Sequence, residues 1–132
     1  MSPPAECKLQ ITREASSRNL IRAWDAGRVR IGEEWINGHL IVAADTIVRD
    51  WVPADPARPS IADLTVALSL KPEIIVIGVG ATTPVPDVDL MAELAERAIG
   101  TEIMSVPAAC RTFNVLVHEE RRVVIAICRP GV

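Results

Sequence analysis

Tyrosine is missing from this chain of 132 residues, phenylalanine occurs once and tryptophan three times. Platforms that stack bases or sugars are built from aromatic faces, so so few aromatics argue against one. Trp24, Trp35 and Trp51 all lie in the first half and read as core or interface packing. Basic charge is not in surplus either: 14 Lys+Arg stand against 17 Asp+Glu, a net charge of −3. Nucleic-acid binding needs a dense cationic face to release counterions, and no nucleic-acid partner is expected. Histidine occurs twice, and the three cysteines, Cys7, Cys110 and Cys128, keep no zinc-ligand spacing. Neither a metal site nor a disulfide framework is expected, which suits a reducing compartment. The longest apolar stretches, Ile74 to Ala81 and Val123 to Cys128, fall short of the roughly 18 residues that cross a bilayer. Met1 to Cys7 lacks the basic and apolar regions of a secretory signal and the Arg-rich pattern of an organellar one. The expectation is a cytoplasmic protein with no membrane span, residues 1–7 forming a disordered tail.

What is present is an ample apolar supply: 49% hydrophobic residues with 23% charged, the profile of one globular domain spanning 1–132. At this length folding buries roughly two-thirds of the chain's surface, enough for a core without staples. Twelve of the fourteen basic residues are Arg, the composition of a GC-rich bacterial genome.

Residues 9–52 read mostly as strands. Leu9 and Ile11 alternate with polar neighbours, Asn19 to Trp24 forms a second segment, and Asp25-Ala26-Gly27-Arg28 reads as a turn into Val29-Arg30-Ile31. Asn37-Gly38 is the strongest turn signal, because a type I′ turn needs positive φ at both central residues. It predicts a hairpin pairing Trp35-Ile36 with His39 to Ala43. A further strand is expected over Ile47 to Trp51. Three prolines between Val52 and Pro59 remove ladder donors and make that stretch a loop.

From 60 to 128 the pattern alternates helix and strand. Ser60 and Asp63 resemble a capping box, with Ile61, Leu64 and Leu68 on one helical face before Lys71-Pro72. Ile74 to Ile77 is β-branched and continuously apolar, as in a parallel strand covered on both faces. Asp87 or Asp89 is expected to cap a helix through Leu90, Leu94 and Ala98, closed by Gly100 at C′. A strand at Glu102 to Ser105, a helix opened by Pro107 and running to about His118, and a buried strand at Val123 to Cys128 follow. Such alternation favours right-handed crossovers and a mainly parallel sheet, with the earlier strands as an antiparallel layer or edge.

Ligands of open α/β sheets gather at the carboxyl ends of parallel strands. Two segments end there. In Ile77-Gly78-Val79-Gly80-Ala81-Thr82-Thr83-Pro84, Gly78 and Gly80 allow close backbone approach to an anion or carbonyl, or simply make a strand-to-loop turn. Thr83 replaces the third glycine of a dinucleotide fingerprint and no Gly-Lys-Ser/Thr follows, so no cofactor is expected. In Pro107 to Asn114, Cys110 lies near a helix start beside Arg111, where the macrodipole and a cation lower a thiol's pKa; the alternative is a small core residue. His118 lies about 12 Å further along the helix, too far to pair with that thiol. Arg111 and Asn114, three apart, either project together or are spent separately, Arg111 on a carboxylate such as Glu102 or Glu119. The candidate ligand-binding residues are therefore Gly78, Gly80, Cys110, Arg111 and Asn114, with no catalytic set and no metal ligands.

Ile74-Ile75-Val76-Ile77-Gly78-Val79-Gly80, then Glu102-Ile103-Met104, then Ala108-Ala109-Cys110-Arg111-Thr112-Phe113-Asn114, with Glu119 and Arg121 ahead of an apolar strand, resembles a small domain-of-unknown-function family. Its eukaryotic branch includes the mitochondrial NADH dehydrogenase (complex I) alpha subcomplex assembly factor 3. The likeness runs from about Leu9 to Cys128. Family members more often carry Gly-Thr-Gly at Gly78-Val79-Gly80, Thr at Val106, Tyr at Phe113 and Glu-Gly-Arg at Glu119-Glu120-Arg121. The resemblance implies an α/β fold of three layers, a mixed central sheet flanked by helices with an additional N-terminal antiparallel β layer. It implies no established enzyme activity, and for the mitochondrial relatives a role in binding assembly factors and subunits of the respiratory complex.

Two functions are expected from this. One is a non-enzymatic interaction or assembly protein whose partners are proteins, contacted through Trp or Ile of the N-terminal strands. The alternative is a small-molecule or anion site, or an enzyme, where the Gly78/Gly80 loop meets the Cys110/Arg111 helix start. The oligomeric state is not legible in the sequence.

Overall fold

The computed structural model describes residues 18–131; the tail at 1–7 and the strand around Leu9 and Ile11 lie outside the described residues. Three short strands, β1 (Ile21–Trp24), β2 (Arg28–Ile31) and β3 (Glu34–Asn37), make an antiparallel sheet in that order. Asp25 closes the β1–β2 turn, its Oδ1 accepting from the Gly27 and Arg28 amides at 3.1 Å each. A second sheet has five strands in the order β5 (Thr46–Val48), β4 (Leu40–Ala43), β8 (Val123–Cys128), β6 (Ile74–Val79) and β7 (Gly100–Met104). Within it β6 runs parallel to β7 and β8, while β4 runs antiparallel to β5 and β8. The helices are α1 (Thr65–Ser69), α2 (Val88–Ala95) and α3 (Val106–His118).

The three buried central strands of the five-stranded sheet show why the apolar runs carry no alternation. Their residues still face opposite ways in turn. Leu40, Val42, Val76, Ile125 and Ile127 join Phe113, Cys110 and Val117 of α3 and Ile21, Val29 and Ile36 of the small sheet. Ile41, Ile75, Ile77, Val124 and Ala126 join Leu64 and Ala67 near α1 and Leu90 and Leu94 of α2 on the other face. The sheet is thus flanked by α1 and α2 on one side, and by α3 with the three-stranded layer on the other. Each fully buried Leu, Ile or Phe contributes about 1.5–3 kcal/mol of hydrophobic burial.

Several expectations change. Asn37-Gly38 does not close a hairpin. Gly38 has φ +81°, but β3 pairs with β2, with Arg28 opposite Asn37, and β4 enters the other sheet between β5 and β8. All four residues of Leu40–Ala43 are buried, and only a strand paired on both sides satisfies such a backbone, so the chain changes sheet at Gly38. The real two-residue turn is Gly32-Glu33 between β2 and β3, where Gly32 takes φ +61°. Strand β5 stops at Val48, and buried Trp51 instead donates its indole N–H to the Asp63 carbonyl at 2.7 Å. The Ser60–Asp63 pair forms both capping bonds, yet α-helix begins only at Thr65. Asp87 caps α2 by accepting from the Leu90 amide at 3.1 Å. That helix ends with Ala98 at φ +61° and Ile99 N–H donating to Leu94 O. The left-handed closing position is Ala98, because Gly100 already opens β7 with its N–H on Glu73 O. Strand β7 accordingly starts two residues earlier than expected, freeing Ser105 to cap α3.

Candidate functional site

Helix α3 starts where β7 ends, capped by Ser105, whose Oγ accepts from the Ala108 amide at 3.4 Å. Its first turn lies against the carboxyl end of β6. A Cβ built on Gly78 would sit 2.9 Å from Ala109 Cβ and 3.2 Å from Val106 Cα, so Gly78 is what lets helix and strand approach this closely. Gly80, two residues on, donates to Cys128 O at 3.1 Å and accepts from the Val106 amide at 2.8 Å. It ties the ends of β6 and β8 to the start of α3.

Cys110 lies on the α3 face turned into the core and is buried. Burial pushes its thiol up to about 12, against the pull of the Arg129 and Arg111 cations, so the macrodipole and the neighbouring cation do not yield a thiolate at neutral pH. Cys128 is pushed up to about 12 by the same cause, with Asp63 adding to it. The two thiols belong to opposite faces of the sheet. Arg111 is exposed, and its guanidinium lies 5.6 Å from the Trp24 ring centroid. Neither Glu102 nor Glu119 pairs with it among the described residues. Asn114 is taken up by β1, exchanging hydrogen bonds with both backbone groups of Ile21. The structure therefore places Gly78 and Cys110 in packing, Asn114 in a backbone tie, Arg111 on the surface over Trp24, and Gly80 at the edge of a cleft.

That cleft, of about 370 Å³, is lined by Trp24, Asp25, Ala26, Gly80, Ala81, Val106, Pro107, Arg129 and Pro130. It sits at the carboxyl ends of β6 and β8, where a parallel neighbour on one side of β8 meets an antiparallel one on the other. Arg129 is the only buried polar or charged residue among the described residues, 5% exposed. Its Nε donates to Gly38 O at 3.2 Å and its Nη1 to Ala26 O at 3.0 Å, while its backbone N–H donates to His39 Nδ1 at 3.2 Å. Burial holds its pKa below the usual guanidinium value, with Cys110 and Asp25 opposing that shift. The sequence reading passed over this residue; its one signal was a lone charge directly after six apolar residues of the last strand. A larger groove, of about 730 Å³, opens at the other end of the sheet between Arg18, Asp45 and Arg121.

Two sheets clasping one helix, with the central strand of the larger sheet made last, define a small α/β protein of mixed topology. The chain belongs to the family of proteins of unknown function DUF498/DUF598, whose model matches residues 21–128. It is 29% identical over 120 residues to the zebrafish (Danio rerio) NADH dehydrogenase [ubiquinone] 1 alpha subcomplex assembly factor 3, covering 89% of this chain and 68% of that protein. It is 35% identical over 60 residues to the 13 kDa major membrane protein of Francisella tularensis, covering 46% of this chain and 49% of that one. The match thus spans about half the length of the Francisella protein. Among solved structures, the NMR structure of a Xanthomonas campestris protein superposes with a TM-score of 0.73 at 32% identity, covering 83% of both chains. No described helix is long and apolar enough to cross a membrane.

Proposed function

We propose that this chain is a non-enzymatic interaction protein, a single domain acting in the cytoplasm, that assists the assembly of a larger protein complex, a respiratory complex being the leading client. The observation that carries this reading is the likeness to the zebrafish complex I assembly factor, which extends over 89% of this chain. The three-stranded sheet supplies a contact surface of suitable chemistry. Val29, Ile31 and Ile36 point to the core, so Arg28, Arg30 and Trp35, alternating with them, face outward. Trp35 is 39% exposed, with the Arg28 guanidinium 4.2 Å from its ring centroid. Trp and Arg are the side chains that most often anchor protein contacts. The inert thiol of Cys110 and the engaged amide of Asn114 also favour a scaffold over a nucleophile.

Purification of the tagged full chain from its native cell, with and without Trp35→Ala, tests this. Respiratory-complex subunits or assembly factors in stoichiometric amount, lost in the variant while its melting temperature is kept, are the expected result. No stoichiometric protein partner with the parent chain would overturn it. A ligand site using Gly78, Gly80, Cys110, Arg111 and Asn114 remains the second reading, favoured only by the place of Gly80 at the cleft edge.

A further inference from the structure

A guanidinium buried beside a cleft, with part of its hydrogen-bonding edge unused, is costly unless something meets it. Nη2 of Arg129 is buried and finds no acceptor, and no carboxylate pairs with Arg129 among the described residues. Its Nη1 is held on Ala26 O, and Ala26 is itself a wall of the cleft, so the charge lies against that wall. The start of α3 forms another wall through Val106 and Pro107, adding the positive end of a 13-residue helix dipole. Asp25 apart, the remaining side chains of the lining are apolar, from Trp24, Ala81 and Pro130, and a volume of about 370 Å³ lies in the range of small-ligand sites.

We propose that this cleft binds a small organic carboxylate, its head group pairing with the Arg129 guanidinium, whose free edge is closed off in this structure and turns toward the cleft on binding, and its apolar body lying among Trp24, Val106 and Pro107. A carboxylate fits better than a phosphate because donors are few. The Val106 amide is taken by Gly80 O, the Ala108 amide by Ser105 Oγ, and Pro107 has none. Asp25 also lines the cleft, its carboxylate held by Arg28 and the Gly27 amide, and its charge favours a monoanion over a dianion. The inference is distinct from the assembly role, because its test needs no protein partner, although Arg28 of the proposed contact surface also holds Asp25 of the cleft.

Benzoate, neutral benzamide of nearly the same shape, and inorganic phosphate are titrated separately into the full chain, following tryptophan fluorescence and amide chemical shifts. The expected result is saturable benzoate binding with shifts at Ala26, Gly80 and Ala81. Benzamide is weaker by about tenfold or more, the effect of losing one charge-assisted hydrogen bond, and phosphate leaves the cleft unshifted. Arg129→Met abolishes the preference for benzoate. That variant also loses the ties to Gly38 and Ala26, so Ala81→Leu, which fills the cleft from an exposed position, serves as the second: it weakens benzoate to a similar extent and melts like the parent. Equal affinity for benzoate and benzamide, tighter binding of phosphate, absence of any saturable shift, or undiminished benzoate binding by Ala81→Leu would each overturn the proposal.

Discussion

Asn114 pairs with Ile21 as a neighbouring strand would: its Nδ2 donates to Ile21 O at 2.8 Å and its Oδ1 accepts from Ile21 N–H at 2.9 Å. One side chain near the middle of α3 thereby completes the inner edge of β1, 93 residues away. Asn114→Ala leaves both backbone groups without partners in a partly buried place, and is expected to destabilise the fold by about 1–3 kcal/mol. The loss is local first. Hydrogen exchange of the Ile21 amide accelerates more than that of Ile125, and equal acceleration of both would show that the bond does not secure β1 in particular.

Gly78→Ala is expected to destabilise through crowding, since its new methyl group meets Ala109 Cβ at 2.9 Å and the α3 backbone at Val106 Cα at 3.2 Å. Overpacking of this kind costs about 1–3 kcal/mol. Adding Ala109→Gly relieves the nearer contact, and the two changes are non-additive in urea titrations, the double variant being more stable than the sum of the singles predicts. Strict additivity would mean that α3 moves away from β6 freely.

Cys110 and Cys128 leave a signature at alkaline pH. Both thiols are pushed by burial from an ordinary 9.0 to about 12. Between those values the unfolded chain has released protons that the folded chain still holds, so the stability is full below about pH 9 and is lost as pH rises toward 12. Urea midpoints measured under reducing conditions from pH 8 upward are expected to fall, and to fall less steeply in Cys110→Ala/Cys128→Ala. Below pH 9 both thiols react with alkylating reagents only as fast as the protein opens.

Asp63 gathers three donors, the Ala54 and Ser60 amides and the Ser60 hydroxyl. Partial burial on its own would raise its pKa, but those hydrogen bonds outweigh it and hold the carboxyl below its ordinary 3.8. The stabilisation is present above that value and lost as pH falls through the lower, folded one. Asp63→Ala is expected to cost about 0.5–2 kcal/mol, the range for a lost cap. Its effect shows in the fluorescence of Trp51, whose indole is bonded to the carbonyl of residue 63, and shrinks in acid.

The parts of the fold legible in the sequence are those whose pattern has one physical solution. Val123 to Cys128 is apolar at every position and too short for a core helix, and it is the strand found. Ile74 to Ile77 reads the same way, and Pro107 marks the start of α3. Asn37-Gly38 misled because turn propensity is local, whereas β4 is claimed by β8, more than 80 residues later in the chain. Gly100 misled for a related reason: helix closure tolerated Ala98, and the glycine served the strand. At the site, Gly80 was readable as a glycine at a strand end. Arg129 was not, because one arginine after a strand looks like any surface charge until the turn of β1 and β2 folds over it.

Strand β8 lies between β4 and β6, and it is the final regular element of the described chain. During synthesis on the ribosome, therefore, β6 and β7 emerge able to pair with one another, while β4 waits with four apolar residues and one edge unanswered. The two halves of the larger sheet meet only when residues 123–128 arrive, so the nascent chain is exposed to aggregation until then, and loss of that last strand would forfeit the whole fold instead of trimming it.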